Sequence, residues 1–326
     1  MRYTRFGRTG LEVSRVSFGT FQFGGAWGEF ERSDAVRLTR QAYEAGINFI
    51  DTAYAYGFGR AEQIVGEALA GPLATQRDEV VIATKGGVRV ADDGTRVRDA
   101  SPEWLRKGLE ESLRNLGVDH TDVYLVHWPD PSVPAAETAG VVAEFIDEGK
   151  VRFPGVSNYT VAQMREFSET LSIDVVQPPY SLLRRGIEDE LLPYCEQEDI
   201  GVFAYGTLAH GLLTGKYAPG AQFEGWRASS PLFQGEGFRR NSEMAHELVA
   251  YAGQLGVGVS ELVTAWALAH PAVQCAIVGA TNPGQLEGIV GTGDLELTAS
   301  QAAEVEAIAA SGSPIGGPSP EGGVPE

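Results

Sequence analysis

Eight short apolar, β-prone runs alternate with longer stretches of helical periodicity along nearly the whole chain, and this alternation constrains the fold more than any other feature. The runs cover residues 15–19, 48–51, 80–84, 123–127, 153–157, 175–177, 202–205 and 275–278. Between them the spacing predicts helices over 33–45, 60–70, 101–116, 137–148, 160–171, 187–198, a pair at 242–255 and 260–270, and a last one at 283–290. Strands linked by helical crossovers run parallel. Runs that are apolar throughout, rather than alternating, are buried on both faces. Eight such units close into a barrel, whereas an open doubly wound sheet usually has fewer strands.

Residues 3–6 and 11–13, joined through Gly7-Arg8-Thr9-Gly10, read as a hairpin plugging the bottom of that barrel. Ser101-Pro102 places a capping side chain before a proline at the first helical position, and Gly117 ends that helix. Residues 208–240 form a Gly-rich excursion after the seventh run, and 311–326 a Gly/Pro-rich stretch with few apolar residues. No internal linker interrupts the pattern. The expectation is one domain over 1–311 and a flexible tail over 312–326.

Composition narrows the chemistry. The chain has 326 residues, 43% of them hydrophobic, which supports a large core and excludes global disorder. With 25 Lys+Arg against 44 Asp+Glu the net charge is −19, so nucleic acid and anionic membranes are repelled by most of the surface. Cys195 and Cys275 are the only cysteines, too few for a disulfide framework or a thiolate zinc site. His120, His127, His210, His246 and His270 lack metal-ligand spacing, so no metal is expected. The opening Met1-Arg2-Tyr3-Thr4-Arg5-Phe6 has no apolar signal core, and no uncharged stretch approaches the ~20 residues of a membrane helix. A soluble cytoplasmic protein is expected.

In barrels of this type active sites lie at the C-terminal ends of the strands. The second run ends in Asp51 and continues as Thr52-Ala53-Tyr54-Ala55-Tyr56-Gly57, the third ends at Lys85, and the fourth at His127. Singly, Asp51 fits a helix cap, Lys85 a surface ion pair and His127 a structural histidine. Together, at three successive strand ends, they form a candidate proton-transfer group. A phenol with a pKa of about 10 donates poorly at neutral pH unless its anion is stabilised. A cationic Lys beside it does so, and a buried Lys needs a counter-ion. Tyr56 is therefore the candidate acid, Lys85 its tuner, Asp51 the partner of Lys85, and His127 the group that polarises a carbonyl.

With these motifs in order, the sequence resembles the aldo-keto reductases, which carry Asp-Thr-Ala-x-x-Tyr-Gly, a strand-three Lys and a strand-four His, here Asp51, Tyr56, Lys85 and His127. The likeness runs from the first hairpin to about Gln285 and is greatest to the bacterial general-stress branch and its NADPH-dependent members. It implies a (β/α)8 TIM barrel, with an N-terminal hairpin plug and an extra C-terminal helix. The implied activity is hydride transfer between NADP(H), or NAD(H), and a small-molecule aldehyde, ketone or alcohol, without metal. It also implies cofactor contacts from Gly19, Thr20 and Asp51. Ser157, Asn158 and Gln177 would hold the carboxamide, and Tyr205 would stack on the nicotinamide. The phosphate-wrapping loop would use Gly206, Thr207, Leu208, His210 and Lys216; Arg227 would reach the adenosine end; Gly279, Ala280, Thr281 and Gln285 would open a helix toward a phosphate. The sequence departs from the family where Thr281-Asn282 stand in place of a basic residue and Gly288-Ile289 in place of an acid-Asn pair.

Taken alone, Ser157 fits an ordinary turn as well as a cofactor contact, and Tyr205 fits the core. Lys216 is not part of a P-loop, because its spacing is one residue short and Tyr217 follows it. No Gly-x-Gly-x-x-Gly follows a strand, which argues against a Rossmann site. The aromatics Phe21, Trp27, Phe30, Tyr54 and Trp128 fall on loops at the barrel mouth, and Trp27, Tyr54 and Trp128 are candidates for the substrate pocket. The alternative to an enzyme is a cofactor-binding regulatory protein of the same fold, like the channel-associated subunits, without significant turnover.

Overall fold

The computed structural model describes residues 1–25 and 30–316. Strands β1 (Tyr3–Arg5) and β2 (Glu12–Ser14) form the N-terminal hairpin, followed by β3 (Val16–Gly19), β4 (Phe49–Asp51) and β5 (Val81–Gly86). A second hairpin, β6 (Val88–Val90) and β7 (Arg96–Arg98), precedes β8 (Thr121–Val126), β9 (Val151–Ser157), β10 (Val175–Gln177), β11 (Gly201–Ala204) and β12 (Cys275–Val278). Eight of these strands close into a barrel in the order β10-β11-β12-β3-β4-β5-β8-β9, with every neighbouring pair parallel. The register sets Asp51 beside Gly19, Lys85 beside Leu125 and Gln177 beside Ser157, so the polar residues sit level at one rim.

The surrounding helices are α1 (Arg32–Glu44), α2 (Arg60–Ala68), α3 (Ala70–Thr75), α4 (Pro102–Leu116), α5 (Ala135–Asp147) and α6 (Val161–Ser168). After them come α7 (Leu191–Gln197), α8 (Trp226–Ser229), α9 (Gly235–Leu255), α10 (Val259–Ala269), α11 (Pro283–Thr292) and α12 (Ala299–Ala309). The predicted capping holds at α4: Ser101 Oγ accepts from Trp104 N at 3.3 Å, Pro102 opens the helix, and Gly117 closes it at φ 69°. No single helix among the described residues is long and apolar enough to cross a membrane.

The first hairpin is the plug read from the sequence. Phe6 is fully buried, its ring edge-on to Phe49 at 5.4 Å and to Phe203 at 5.6 Å, while Phe49 and Phe203 stack at 5.0 Å. Burying such a ring contributes about 1.5–3 kcal/mol. The turn leading to it approaches β11 so closely that a Cβ on Gly7, at φ +50°, would lie 2.3 Å from Gly201 N. Asn48 ties the hairpin to the barrel, accepting from Ser14 N at 2.7 Å and donating to Glu12 O at 2.9 Å.

Three features depart from the sequence expectation. Residues 88–98, to which the sequence pattern assigned no element, form a hairpin. Helix α9 begins at Gly235, seven residues before the predicted start, because Phe238 packs into an aromatic group with Phe223 and Phe233 that stabilises the glycine-bearing first turn. The chain beyond residue 311 stays docked: Ser313 N donates to Asn241 Oδ1 at 2.6 Å and Ile315 N to Leu183 O at 2.7 Å. Residues 317–326 of the expected tail lie outside the described residues.

Candidate active site

Lys85 ends β5 fully buried, and its position follows from the parallel register that sets β4 beside β5. Its Nζ donates to Asp51 Oδ1 at 2.7 Å and to Thr52 O at 2.8 Å, and lies 3.3 Å from Tyr56 Oη. Burial raises the Asp51 pKa, while the Lys85 charge and hydrogen bond, then that of Gln177, oppose it. Asp51 Oδ1 accepts a second short bond, from Gln177 Nε2 at 2.7 Å. The Tyr56 ring is held edge-on by Phe21 at 5.1 Å and by His127 at 5.8 Å. Burial, then the Lys85 charge and that of Arg96, hold His127 well below the ordinary imidazole range, so it is neutral. Its Nδ1 has no hydrogen-bond partner. The four residues read from three successive strand ends thus meet at one place.

A cleft of about 700 Å³ opens beside them. Gly19, Asp51, Tyr56, Gln177 and Tyr205 line it, and its walls continue through Gly206, Thr207, Leu208, His210, Lys216, Arg227, Gly279, Thr281 and Gln285. Thr20, Ser157, Asn158 and Ala280 stand behind that lining. Thr20 Oγ1 donates to Asp51 O at 2.9 Å, and Ala280 O accepts from Gln22 Nε2 at 3.0 Å. Ser157 Oγ donates to Gln177 O at 2.9 Å, and Asn158 Nδ2 donates to His127 O and Ser157 Oγ, both at 3.0 Å. Tyr205 Oη donates to Asn158 Oδ1 at 2.7 Å, so its ring faces the cleft with its polar end satisfied.

The three residues expected in a substrate pocket fare differently. Trp27 lies outside the described residues. Tyr54 turns toward the outer helix α4, where its hydroxyl finds an acceptor in Glu111 at 2.5 Å and its ring meets Trp104; it does not line the cleft. Trp128 is buried with Ala55 and Val88, apart from the cleft lining. Sequence reading passed over Gln22, which follows β3 and whose strand-end position was a usable signal. It also passed over Glu261 near the start of α10, for which no strand-end signal exists.

The cleft has the features a dinucleotide requires. Lys216 and Arg227 place two cations in its wall, and Thr207 Oγ1 is buried with no hydrogen-bond partner. At Gly206 (φ +71°) and Gly288 a side chain would project into open space, with nothing within 4 Å. At α11, Asn282 caps Gln285 N at 3.0 Å, and Gln285 Oε1 accepts from Thr281 N at 2.8 Å. Among the described residues no group of three metal-ligating side chains occurs.

The Aldo/keto reductase family model matches residues 15–310. This chain belongs to that family. Aldo-keto reductase YhdN of Bacillus subtilis is 39% identical over 293 residues, covering 89% of this chain and 88% of the relative. The NADH-specific methylglyoxal reductase of Escherichia coli is 34% identical, covering 91% and 95%. A probable voltage-gated potassium channel subunit beta of Oryza sativa is 33% identical, covering 88% and 89%. Among solved structures, the glycerol dehydrogenase AKR11B4 from Gluconobacter oxydans aligns at TM-score 0.86 and 34% identity, covering 96% of this chain and 97% of that one. An aldo/keto reductase from Klebsiella pneumoniae in complex with NADP and acetate aligns at 0.73 and 29%, covering 94% of each. The aldo/keto reductase barrel, its plugging hairpin and its oxidoreductase class agree with the expectation from the sequence.

One property of this family member is testable without substrate. His210 sits in the cleft wall at φ 56°, and burial lowers its pKa to about 4. The unfolded chain therefore takes up a proton first as pH falls, so stability drops between about 6.5 and 4 and is unaffected above that window. The expected slope from this residue is about 1.4 kcal/mol per pH unit. Urea unfolding of wild type and His210→Asn across pH 4–7 measures it, Asn being tolerant of positive φ. Parallel stability profiles would exclude the effect.

Proposed function

We propose that this protein is an NADP(H)-dependent carbonyl reductase in which Tyr56 exchanges a proton with the substrate oxygen. The observation that carries the reading is Lys85 Nζ, buried and set between Asp51 Oδ1 at 2.7 Å and Tyr56 Oη at 3.3 Å beside the cleft. When bound, a reduced nicotinamide supplies the hydride. Tyr56 Oη gives its proton to the developing alkoxide, and the Lys85 charge stabilises the phenolate left behind. Neutral His127, with Nδ1 lacking an internal partner, orients and polarises the carbonyl. Ser157, Asn158 and Gln177 would present amide and hydroxyl groups to the carboxamide, and Tyr205 its ring face to the nicotinamide. The test is multiple-turnover oxidation of the reduced cofactor with a nitrobenzaldehyde. Sustained turnover is expected. Cofactor binding without turnover would instead favour the regulatory reading that the likeness to the rice channel subunit raises.

Cofactor choice rests on a balance of charges. Lys216 and Arg227 favour the 2′-phosphate, and Arg offers a planar fork suited to it. Against them stand the neutral Thr281-Asn282 pair and the Glu261 carboxylate, which lines the same cleft and accepts from Gly258 N at 2.5 Å. NADPH is therefore preferred by a smaller margin than a basic residue at 281 would give. Each charge-assisted hydrogen bond contributes about 1.5–3 kcal/mol. Arg227→Ala should accordingly cut the NADPH/NADH ratio of kcat/KM by about tenfold or more. Equal use of both cofactors by the wild type would refute the preference, and a ratio unmoved by the substitution would clear Arg227 of the role.

A further inference from the structure

The hairpin β6–β7 carries basic residues that the reaction chemistry does not use. Its register pairs Val88 with Arg98 and Val90 with Arg96, so these four share one face, while Arg89 and Val97 share the other. Val88 is buried against Ala55 and Trp128, which shows that its face looks onto the loops bearing the proton-transfer residues. The Arg98 guanidinium lies 5.1 Å over the Trp128 ring, and that of Arg96 5.7 Å over Phe58. Trp128 directly follows His127, and Phe58 lies two residues after Tyr56. The two cations thus overhang the segments that deliver the candidate acid and the carbonyl-orienting imidazole. The Arg96 charge is close enough to help hold His127 neutral.

Neighbouring carboxylates are committed elsewhere. Asp99 pairs with Arg89, on the opposite face of the hairpin, at 2.7 Å. Glu111 accepts from Tyr54 Oη at 2.5 Å. Asp130 accepts from Ala100 N at 3.0 Å and from Ser132 N at 2.9 Å and also feels the Arg98 charge, so Arg98 is partly offset and Arg96 is the freer of the two cations. Arg98 Nη1 donates to Pro129 O at 3.3 Å, leaving Nε buried with no hydrogen-bond partner. On a chain of net charge −19, two guanidinium groups set over aromatic rings, with Asp130 acting on Arg98 alone, stand out as sites of local attraction for an anion.

We propose that Arg96 and Arg98 form a subsite for a carboxylate on the substrate, so that the carbonyl compound this protein handles best is an aldehyde or ketone bearing a carboxylate several bonds from the reacting carbon. The proposal rests on the carbonyl-reductase reading of the same site. A planar carboxylate matches the guanidinium fork, and Arg96 is exposed and able to meet it without disturbing the core.

The experiment compares kcat/KM for 4-carboxybenzaldehyde and its methyl ester in wild type, Arg96→Gln and the Arg96→Gln/Arg98→Gln double variant. The ester serves as reference within each protein, so a general folding defect cancels in the ratio. Wild type should favour the carboxylate by about tenfold or more at low salt, the scale of one charge-assisted hydrogen bond. The preference should fall as ionic strength rises and vanish in the double variant. A wild type that treats both alike, or a preference that survives the double variant, overturns the subsite while leaving the reductase reading intact. Calorimetric binding of 4-(hydroxymethyl)benzoate separates the two claims from the other side. Binding that is lost in the double variant, with no aldehyde turned over, upholds the subsite and removes the reductase reading. Absence of both binding and turnover overturns the subsite as well.

Discussion

Tyr56→Phe should lower kcat for aldehyde reduction by about 10²–10⁴-fold, the range that general acid catalysis supplies. The substitution removes one oxygen and little else. The ring keeps its edge contacts with Phe21 at 5.1 Å and His127 at 5.8 Å, so the fold and the cleft wall persist. What disappears is the hydroxyl 3.3 Å from Lys85 Nζ, at the edge of the cleft, which the proposed mechanism uses as the proton donor. Cofactor affinity, measured by fluorescence titration, should stay close to wild type. A Tyr56→Phe protein that kept more than half of the wild-type kcat would remove Tyr56 from the chemistry.

Lys85→Met should be as damaging to turnover and should also cost stability. The methionine fills the space but leaves Asp51 buried without its counter-charge, and breaking a buried pair from one side costs about 3–5 kcal/mol. Burial already pushes the Asp51 pKa up, and Lys85 is the first of the groups opposing that shift. Without it the folded-state pKa of Asp51 rises further above the unfolded value. The penalty is then full at neutral pH and shrinks as pH falls through that raised value, where the carboxyl is neutral in the folded state. Denaturant unfolding at pH 7 and pH 5, together with steady-state kinetics, reads both effects. Wild-type stability and activity in Lys85→Met would mean that the Asp51–Lys85 pair supports neither the fold nor the reaction.

The barrel was legible because burial on both faces writes strands as unbroken apolar runs, and two of the predicted runs, 175–177 and 275–278, coincide with β10 and β12. The meeting of Asp51, Tyr56, Lys85 and His127 was legible for another reason: each fits a structural use alone, but polar residues at three successive strand ends converge on one rim. Other elements left weaker traces. The Val-Arg-Val and Arg-Val-Arg halves of β6–β7 flank Asp93-Gly94, a recognised turn pair, but each alternates over only three residues and the register sets valine opposite arginine, so no apolar face forms. Thr298 and Gln301 form the capping box of α12, a signal obscured because the apolar residues of that helix are mostly alanines that mark no distinct face. Tyr54 shows the opposite limit. Its place among the loop aromatics at the barrel mouth suggested a substrate pocket, yet Glu111, distant in sequence, decides where its hydroxyl goes. The role of Glu261 depends on helix packing across the cleft, which no local pattern encodes.

In the ring of eight strands β4 and β10 stand diametrically opposite, so the 2.7 Å bond from Gln177 to Asp51 crosses the lumen from wall to wall. It acts as a tie rod. With Lys85 donating to the same carboxylate oxygen, β4, β5 and β10 are joined through one atom. Whatever gives way to admit differently shaped molecules must be sought in the appended segments, such as the hairpin at 88–98 and the excursion at 208–240. The hairpin still touches the inner group, because Val88 packs with Ala55 and Trp128, the neighbours in sequence of Tyr56 and His127. Descendants of such a chain can vary the outward residues of that hairpin while the contacts among Asp51, Lys85 and Gln177 stay inside the barrel.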